Sequence, residues 1–525
     1  MGRTNAKTKD IIKSISVILF AALFLLAGLS GCTSLDEIQP LVSPSAAETS
    51  IPAHTPAPKS STPKPASTPE PPPMPTPDPF FDNCIDAPRT RNLYEAVLAV
   101  DMEEYIVTGQ LRATIVNTST APMHMLKFRL HPNDVSSGCM NIEGVLLNRE
   151  AAEYYFDDAQ KKSVLCVALD RELAQGESAE VFVAFDIMVP ITGFRFGVSG
   201  PDMMLGNALP IAAVYDSEGV FHTEPYCLDG DSFFSEIADY NVRVSIPAEY
   251  NLAHTGVLTY SLENEDAEQT LCYIDAEAVR EFALAVMNPR IRIAYADTSV
   301  TDTRVTAFGR TKQEASAAAL TAALALDFYS IMIGEYPYQS LMVVPVDWGG
   351  GMEYPNLIMV SPPRDPGEAE RRMSAIVIAH EVCHQWFYSV VGNNQLTEPW
   401  LDESIVEYLA FGFLESFLGT ETRNSYWRSR IANSLNNYTR TARLDLPLAD
   451  YKNYDYFYVV YAYGADMYNR LCEELGKDAF ETALRIYYSN NSFKIATKAE
   501  LIAAFSEAAG KNMSDWFEWN MEIRE

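Results

Sequence analysis

Three things are scarce in this 525-residue chain, and each scarcity closes off a class of function. Basic residues number 39 against 70 acidic ones, a formal charge of −31 with a pI near 4.6. No Lys/Arg-rich stripe interrupts that acidic excess. A chain of this sign repels nucleic acid and anionic membrane surfaces, so nucleic-acid binding is excluded. Cysteine occurs eight times without a C-x-x-C pair, which leaves no paired-thiol motif. Histidine occurs only seven times, so a close pair of histidines stands out.

The hydrophobic share of 48% is ample for a sizeable core, and the length fits about two to four domains. Residues 1–31 read as a signal peptide, with Arg3, Lys7, Lys9 and Lys13 ahead of an apolar run from Ile15 to Gly28. Leu29-Ser30-Gly31-Cys32 then resembles a bacterial lipobox, which implies cleavage before Cys32 and lipid attachment to its sulfur. The expected product is an exported lipoprotein held on the outer side of the cytoplasmic membrane by that anchor. Residues 32–83 form a Pro/Ser/Thr-rich linker that favours extended polyproline II structure. At about 3.1 Å per residue it spans up to roughly 150 Å. Seven further cysteines are scattered over the chain, and an odd count leaves at least one thiol free.

Residues 84–290 read as a β-rich domain. Gln110–Val116, Leu126–Leu130, Val181–Ile187 and Tyr240–Ile246 alternate with period two, the pattern of an antiparallel sheet with one buried face. The pattern changes in 291–525. Lys312–Ile333 is Ala-rich and helical, Leu341–Val346 and Asn356–Val360 read as strands around a glycine-rich turn, and the remainder through Phe517 is mostly helical. A helix is expected to start at Asp365-Pro366, with Asp365 as N-cap and Glu368 as its capping partner, and a second near Thr397-Glu398-Pro399.

The chemistry concentrates in residues 380–403, HEVCHQWFYSVVGNNQLTEPWLDE. His380, Glu381 and His384 form H-E-x-x-H, a motif with on the order of a 1% chance of arising by accident in a chain this long. On a helix His380 and His384 share one face and can grip one Zn²⁺, with Glu381 beside a metal-bound water. Glu403, nineteen residues after His384, supplies a third ligand and leaves a fourth position open. Upstream, Gly349-Gly350-Gly351-Met352-Glu353 combines a glycine edge that lets a substrate backbone approach with a carboxylate able to hold a free amino terminus. Downstream, Tyr461 of Tyr-Ala-Tyr-Gly-Ala offers a phenol for an oxyanion. Glu407 is either a carboxylate orienting a ligand imidazole or an exposed helix glutamate. Cys383 reads as a buried core thiol rather than a ligand.

Together these segments resemble the aminopeptidase N family of gluzincin metallopeptidases, over roughly residues 90–525. The resemblance implies an α+β multidomain fold: an N-terminal saddle-shaped antiparallel β domain, then a thermolysin-like α/β catalytic domain that is mostly helical at its C-terminus. It implies one Zn²⁺ on His380, His384 and Glu403, Glu381 as general base, and Tyr461 stabilising the oxyanion. Glu353 would bind the substrate's α-amine, beside Gly350, Gly351 and Met352. The expected activity is removal of N-terminal residues from peptides outside the cell. An endopeptidase or other zinc hydrolase without strict amine recognition, and an inactive tethered binding domain, are the alternatives. Tyr354, Tyr463 and Ser404 depart from the family's usual Asn, Lys and Gly, the first expected on the exposed side of its motif. The family's second amine-binding carboxylate is not recognisable, and Glu224 is either a substitute for it or a plain loop residue. The chain stops about where the family's catalytic domain ends, so a more open site is expected.

Overall fold

The computed structural model describes residues 76–83, 89–264, 266–362, 367–452 and 454–523. The leader, the lipobox with Cys32 and most of the linker lie outside the described residues, as does the expected helix start at Asp365-Pro366.

The alternating segments form the strands expected of them. Among the described residues an eight-stranded sheet runs in the order Val257–Asn264, Gln269–Val279, Ala238–Pro247, Asn92–Asp101, Ile106–Val116, Ser178–Met188, Met140–Leu147, Glu150–Ala151. Ala238–Pro247 alternates buried and half-buried residues along its whole length. All ladders of this sheet are antiparallel except one, the parallel pairing of Asn92–Asp101 with Ala238–Pro247. Parallel neighbours need a long crossover, and here residues 102–237 provide it. Two four-stranded sheets pack with the large one around a core that includes Leu111, Phe128, Val183, Phe185, Val244 and Leu284.

Residues 76–83, read from sequence as the end of the linker, are fastened to this domain. Phe81 is buried against Phe182, Arg112 donates to the Phe81 carbonyl at 2.9 Å, and Arg243 pairs with Asp78.

The C-terminal half begins with a five-stranded sheet in the order Arg292–Asp297, Arg304–Gly309, Ser340–Pro345, Leu357–Val360, Gly351–Met352. The glycine-rich segment is therefore an edge strand, with one side unpaired among the described residues. Helix α1, Lys312–Met332, is capped by the Thr311 hydroxyl accepting from the Glu314 amide. It is long and apolar enough to cross a membrane, yet Ala319, Ala322, Ala323, Ala325 and Tyr329 lie in the core. The Tyr329 hydroxyl donates to the Ala379 carbonyl on α2, Glu368–Cys383. Gly367 stands at the N-cap of α2. Helix α3, Trp400–Leu418, packs against α2, with Asp402 and Glu403 in its first turn, where the helix dipole favours anions.

A separate core joins the two halves. Met204, Phe233, Ala253, Ala285 and Met287 from the β-rich part share it with Val344, Met352, Tyr354, Met359 and Tyr388 from the C-terminal part.

Candidate active site

Helix α2 places His380 and its C-cap residue His384 one turn apart, and α3 brings Glu403 across to them. The His380 Nε2 lies 3.1 Å from Glu403 Oε2 and 3.3 Å from His384 Nε2, and His384 Nε2 lies 3.5 Å from Glu403 Oε2. Bonds of about 2.0–2.1 Å at tetrahedral angles would set ligand atoms about 3.3 Å apart, so this triangle has the size a zinc ion needs. The donor set of two imidazoles and a carboxylate also suits zinc.

Both candidate imidazole ligands are held from behind. His380 Nδ1 lies 3.0 Å from Glu407 Oε2, and Arg430 binds Glu407 through both carboxylate oxygens at 2.5 and 3.0 Å. Glu407 is fully buried against His380, so it is not an exposed helix glutamate. His384 Nδ1 lies 3.1 Å from the Phe387 carbonyl, which directs Nε2 toward the ligand triangle. Cys383 is buried in the core near Tyr329. The described cysteines Cys139, Cys166, Cys227, Cys272, Cys383 and Cys472 are all free thiols.

Glu381 follows His380 and faces the edge strand. A Cβ on Gly351 would sit 2.5 Å from Glu381 Cδ, so the two segments touch. Burial, partly offset by the two histidines, pushes Glu381 up to about 7. That value suits a group that must take and release a proton near neutrality. Burial opposes charge on His380, but hydrogen bonds to Glu403 and Glu407 prevail and raise it to about 9. Glu403 is shifted the other way: burial would raise it, but both histidines hold it below the usual carboxylate range.

Tyr461 stacks beside His380, ring centroids 6.0 Å apart and planes 19° from parallel. Burial and the nearby Glu403 raise its phenol, so it stays protonated and able to donate. It projects from a π-helical segment, Phe457–Tyr463, while Arg430 sits on another, Trp427–Ala432. Wider turns of this kind re-aim side chains and are frequent at functional sites.

Glu353 is buried next to the ligands. Gln395 Nε2 donates to Glu353 Oε1 at 2.8 Å and to Asp402 Oδ2 at 2.9 Å. Asp231, from the β-rich half, places a carboxylate oxygen within 4.8 Å of those of Glu353 and Glu403. Arg195 pairs with Asp231 and also reaches Met352 Sδ at 3.1 Å. Burial raises Glu353 well above its ordinary value, Asp231 and Glu403 add to the effect, and His384 opposes it. Such crowding of acids favours any cation that can enter among them.

Residues 320–519 match the peptidase family M1 domain. Over that region the chain is similar to peptidase family M1, the aminopeptidase N family. Among relatives it is 27% identical to a puromycin-sensitive aminopeptidase of Caenorhabditis elegans over 164 residues, 29% of this chain and 17% of that protein. It is 27% identical to an aminopeptidase N of Lactococcus lactis subsp. lactis over 163 residues, 29% of this chain and 19% of that one. The matched region thus spans about a fifth of the length of these relatives. An M1 zinc metallopeptidase from Deinococcus radiodurans has the same fold, with a TM-score of 0.62 at 16% identity over 83% of this chain and 94% of that one.

Against the M1 pattern, Tyr354 differs most from its expected place. Its side chain is wholly buried, not on the exposed side of the motif, and packs against Gly206 and near Phe233. Met352 is also buried, so its side chain faces Arg195 rather than open solvent. Ser404 fills the space over Gly464, where a Cβ would overlap its hydroxyl. Glu224 pairs with His222 at 2.8 Å and is absent from the carboxylate group around Glu353. Sequence reading missed Asp231, Gln395, Asp402 and Arg430. Asp402 adjoins Glu403 in the chain, and Asp231 sits in a Leu-Asp-Gly-Asp turn, but only the fold brings these groups together.

Proposed function

We propose that this protein is a zinc-dependent aminopeptidase that removes N-terminal residues from peptides outside the cell. The observation that carries this reading is the placement of Asp231 and Glu353 beside the ligand Glu403. Two carboxylates at that point would hold a substrate ammonium and put the first peptide carbonyl at the metal. When bound on His380, His384 and Glu403, zinc would supply Lewis acidity and acidify a water to a pKa near about 7. Glu381 takes the proton of the attacking water and returns it to the leaving amine. The Tyr461 hydroxyl donates to the developing oxyanion. The unpaired side of Gly351–Met352 offers backbone groups along which an extended peptide can lie.

Export rests on the leader and on Cys32 as a lipid anchor, with the proline-rich tether between membrane and enzyme. Cys32→Ser should move the protein from the membrane fraction to the soluble one.

The deciding experiment compares free and N-acetylated forms of the same peptides, with Glu381→Gln as control. Cleavage of the free peptides alone, lost in the control, supports the reading. Equal cleavage of both forms would point to the endopeptidase alternative.

A further inference from the structure

The β-rich half does more than cover the catalytic half. Arg280, at the end of the long strand Gln269–Val279, is almost fully buried and sends its guanidinium into the turn that follows His384. Its Nε donates to the Tyr388 carbonyl at 2.7 Å and its Nη1 to the Ser235 carbonyl at 2.8 Å. Its Nη2 reaches the carbonyls of Val390 at 3.3 Å and Lys494 at 2.6 Å. Gly392 lies against the guanidinium, and any Cβ there would overlap it. One cation thus ties together the β-rich domain, the turn after the metal helix and the parallel pair Val391–Gly392 with Lys494–Ile495.

The next residue grips the same turn from its other end. Glu281 accepts from the Tyr388 hydroxyl and is itself held by Asn207 at 3.2 Å. Tyr388 has φ +121, a backbone geometry that L-residues seldom adopt and that persists only where surroundings enforce it. Its amide donates to the Val391 carbonyl at 2.8 Å, the Ser389 amide to the His384 carbonyl at 3.0 Å, and the Val391 amide to the Trp386 carbonyl at 2.9 Å. This closed turn carries the Phe387 carbonyl, which is the partner of His384 Nδ1.

We infer that Arg280, assisted by Glu281 through Tyr388, is a positioning residue: it fixes the 387–392 turn so that the Phe387 carbonyl holds the His384 ring in its metal-binding tautomer and direction. This rests on reading His384 as a zinc ligand. Outer partners of metal-binding histidines typically change affinity by about 10- to 100-fold when removed. Arg280 works one step further out, through the backbone. Lysine keeps its charge but cannot reach carbonyls in three segments at once.

The test uses the full chain, stripped of metal and reloaded, well below its melting temperature. Zinc affinity is measured by competition with a chromophoric chelator, and the visible absorption of the Co²⁺-loaded protein reports the ligand field. Arg280→Lys should bind zinc about 10-fold more weakly or worse and show a shifted Co²⁺ band, with kcat reduced and KM little changed. Tyr388→Phe, which removes only the hydroxyl held by Glu281, should move both readouts the same way to a smaller extent, and it decides the question if Arg280→Lys does not fold. Wild-type affinity and spectrum in the folded variants, even with an earlier melt, would overturn the inference. A wild-type protein that takes up no zinc would instead overturn the ligand assignment beneath it.

Discussion

Gly351 lies so close to Glu381, across the gap between the edge strand and α2, that a Cβ on the glycine would overlap the carboxyl group. The glycine that reads in sequence as an opening for substrate is needed first by the general base. Gly351→Ala should therefore displace Glu381 and lower kcat by about 10²-fold, since a misplacement of about 1 Å can cost that much. Zinc content should be unchanged. Steady-state kinetics with elemental analysis checks both, and near-normal kcat would show that Glu381 has freedom to move.

Glu407 holds His380 and is itself held by Arg430. Glu407→Gln keeps its size but loses the charge that supports the imidazole, and should weaken zinc binding by about 10- to 100-fold. Chelator competition measures it. Unaltered affinity would mean that the helix packing alone orients His380.

Asp231 was found only in the folded chain. If it holds the substrate ammonium with Glu353, Asp231→Asn should lower kcat/KM for free peptides by about 10-fold or more, the usual worth of a hydrogen bond to a charged group. The same change should leave the zinc content and the melting temperature where they were. Loss of zinc or an earlier melt in the variant would assign Asp231 to holding Arg195 instead.

Burial pushes Glu281 up to about 7 from an ordinary 4.5. A carboxyl that keeps its proton more firmly folded than unfolded favours the fold most at low pH. That advantage is complete below about 4.5 and is lost as pH rises through about 7. Glu281→Gln does not titrate, so its stability relative to the wild type should improve by about 1–3 kcal/mol between pH 4.5 and 8. Urea midpoints at several pH values test this, and a difference that is flat with pH would rule it out.

Much of the site was legible because it lies in short, locally patterned segments. His380, Glu381 and His384 share one helix, and Glu403 opens the next, so spacing alone predicted their convergence. The strands at 110–116, 181–187 and 240–246 announced themselves by alternation. The missing parts depend on distant pairings. Asp231 and Arg195 reach Met352 and Glu353 only because the β-rich half docks on the catalytic one. Arg430 sits on a π-helical turn, whose extra residue per turn leaves no periodic signature distinct from the surrounding helix. Tyr354 was misplaced because a motif read along the chain does not reveal which side faces a second domain.

The core shared by the two halves has a thermal consequence. Met204, Phe233 and Met287 cannot lose their cover without exposing Met352, Tyr354 and Tyr388 at the same moment. Heating should therefore give one calorimetric transition for the described body rather than two, and enzymatic rate should vanish at the same temperature as the β signal. A chain cut between the halves would leave each with an oily scar, prone to aggregate before it could work.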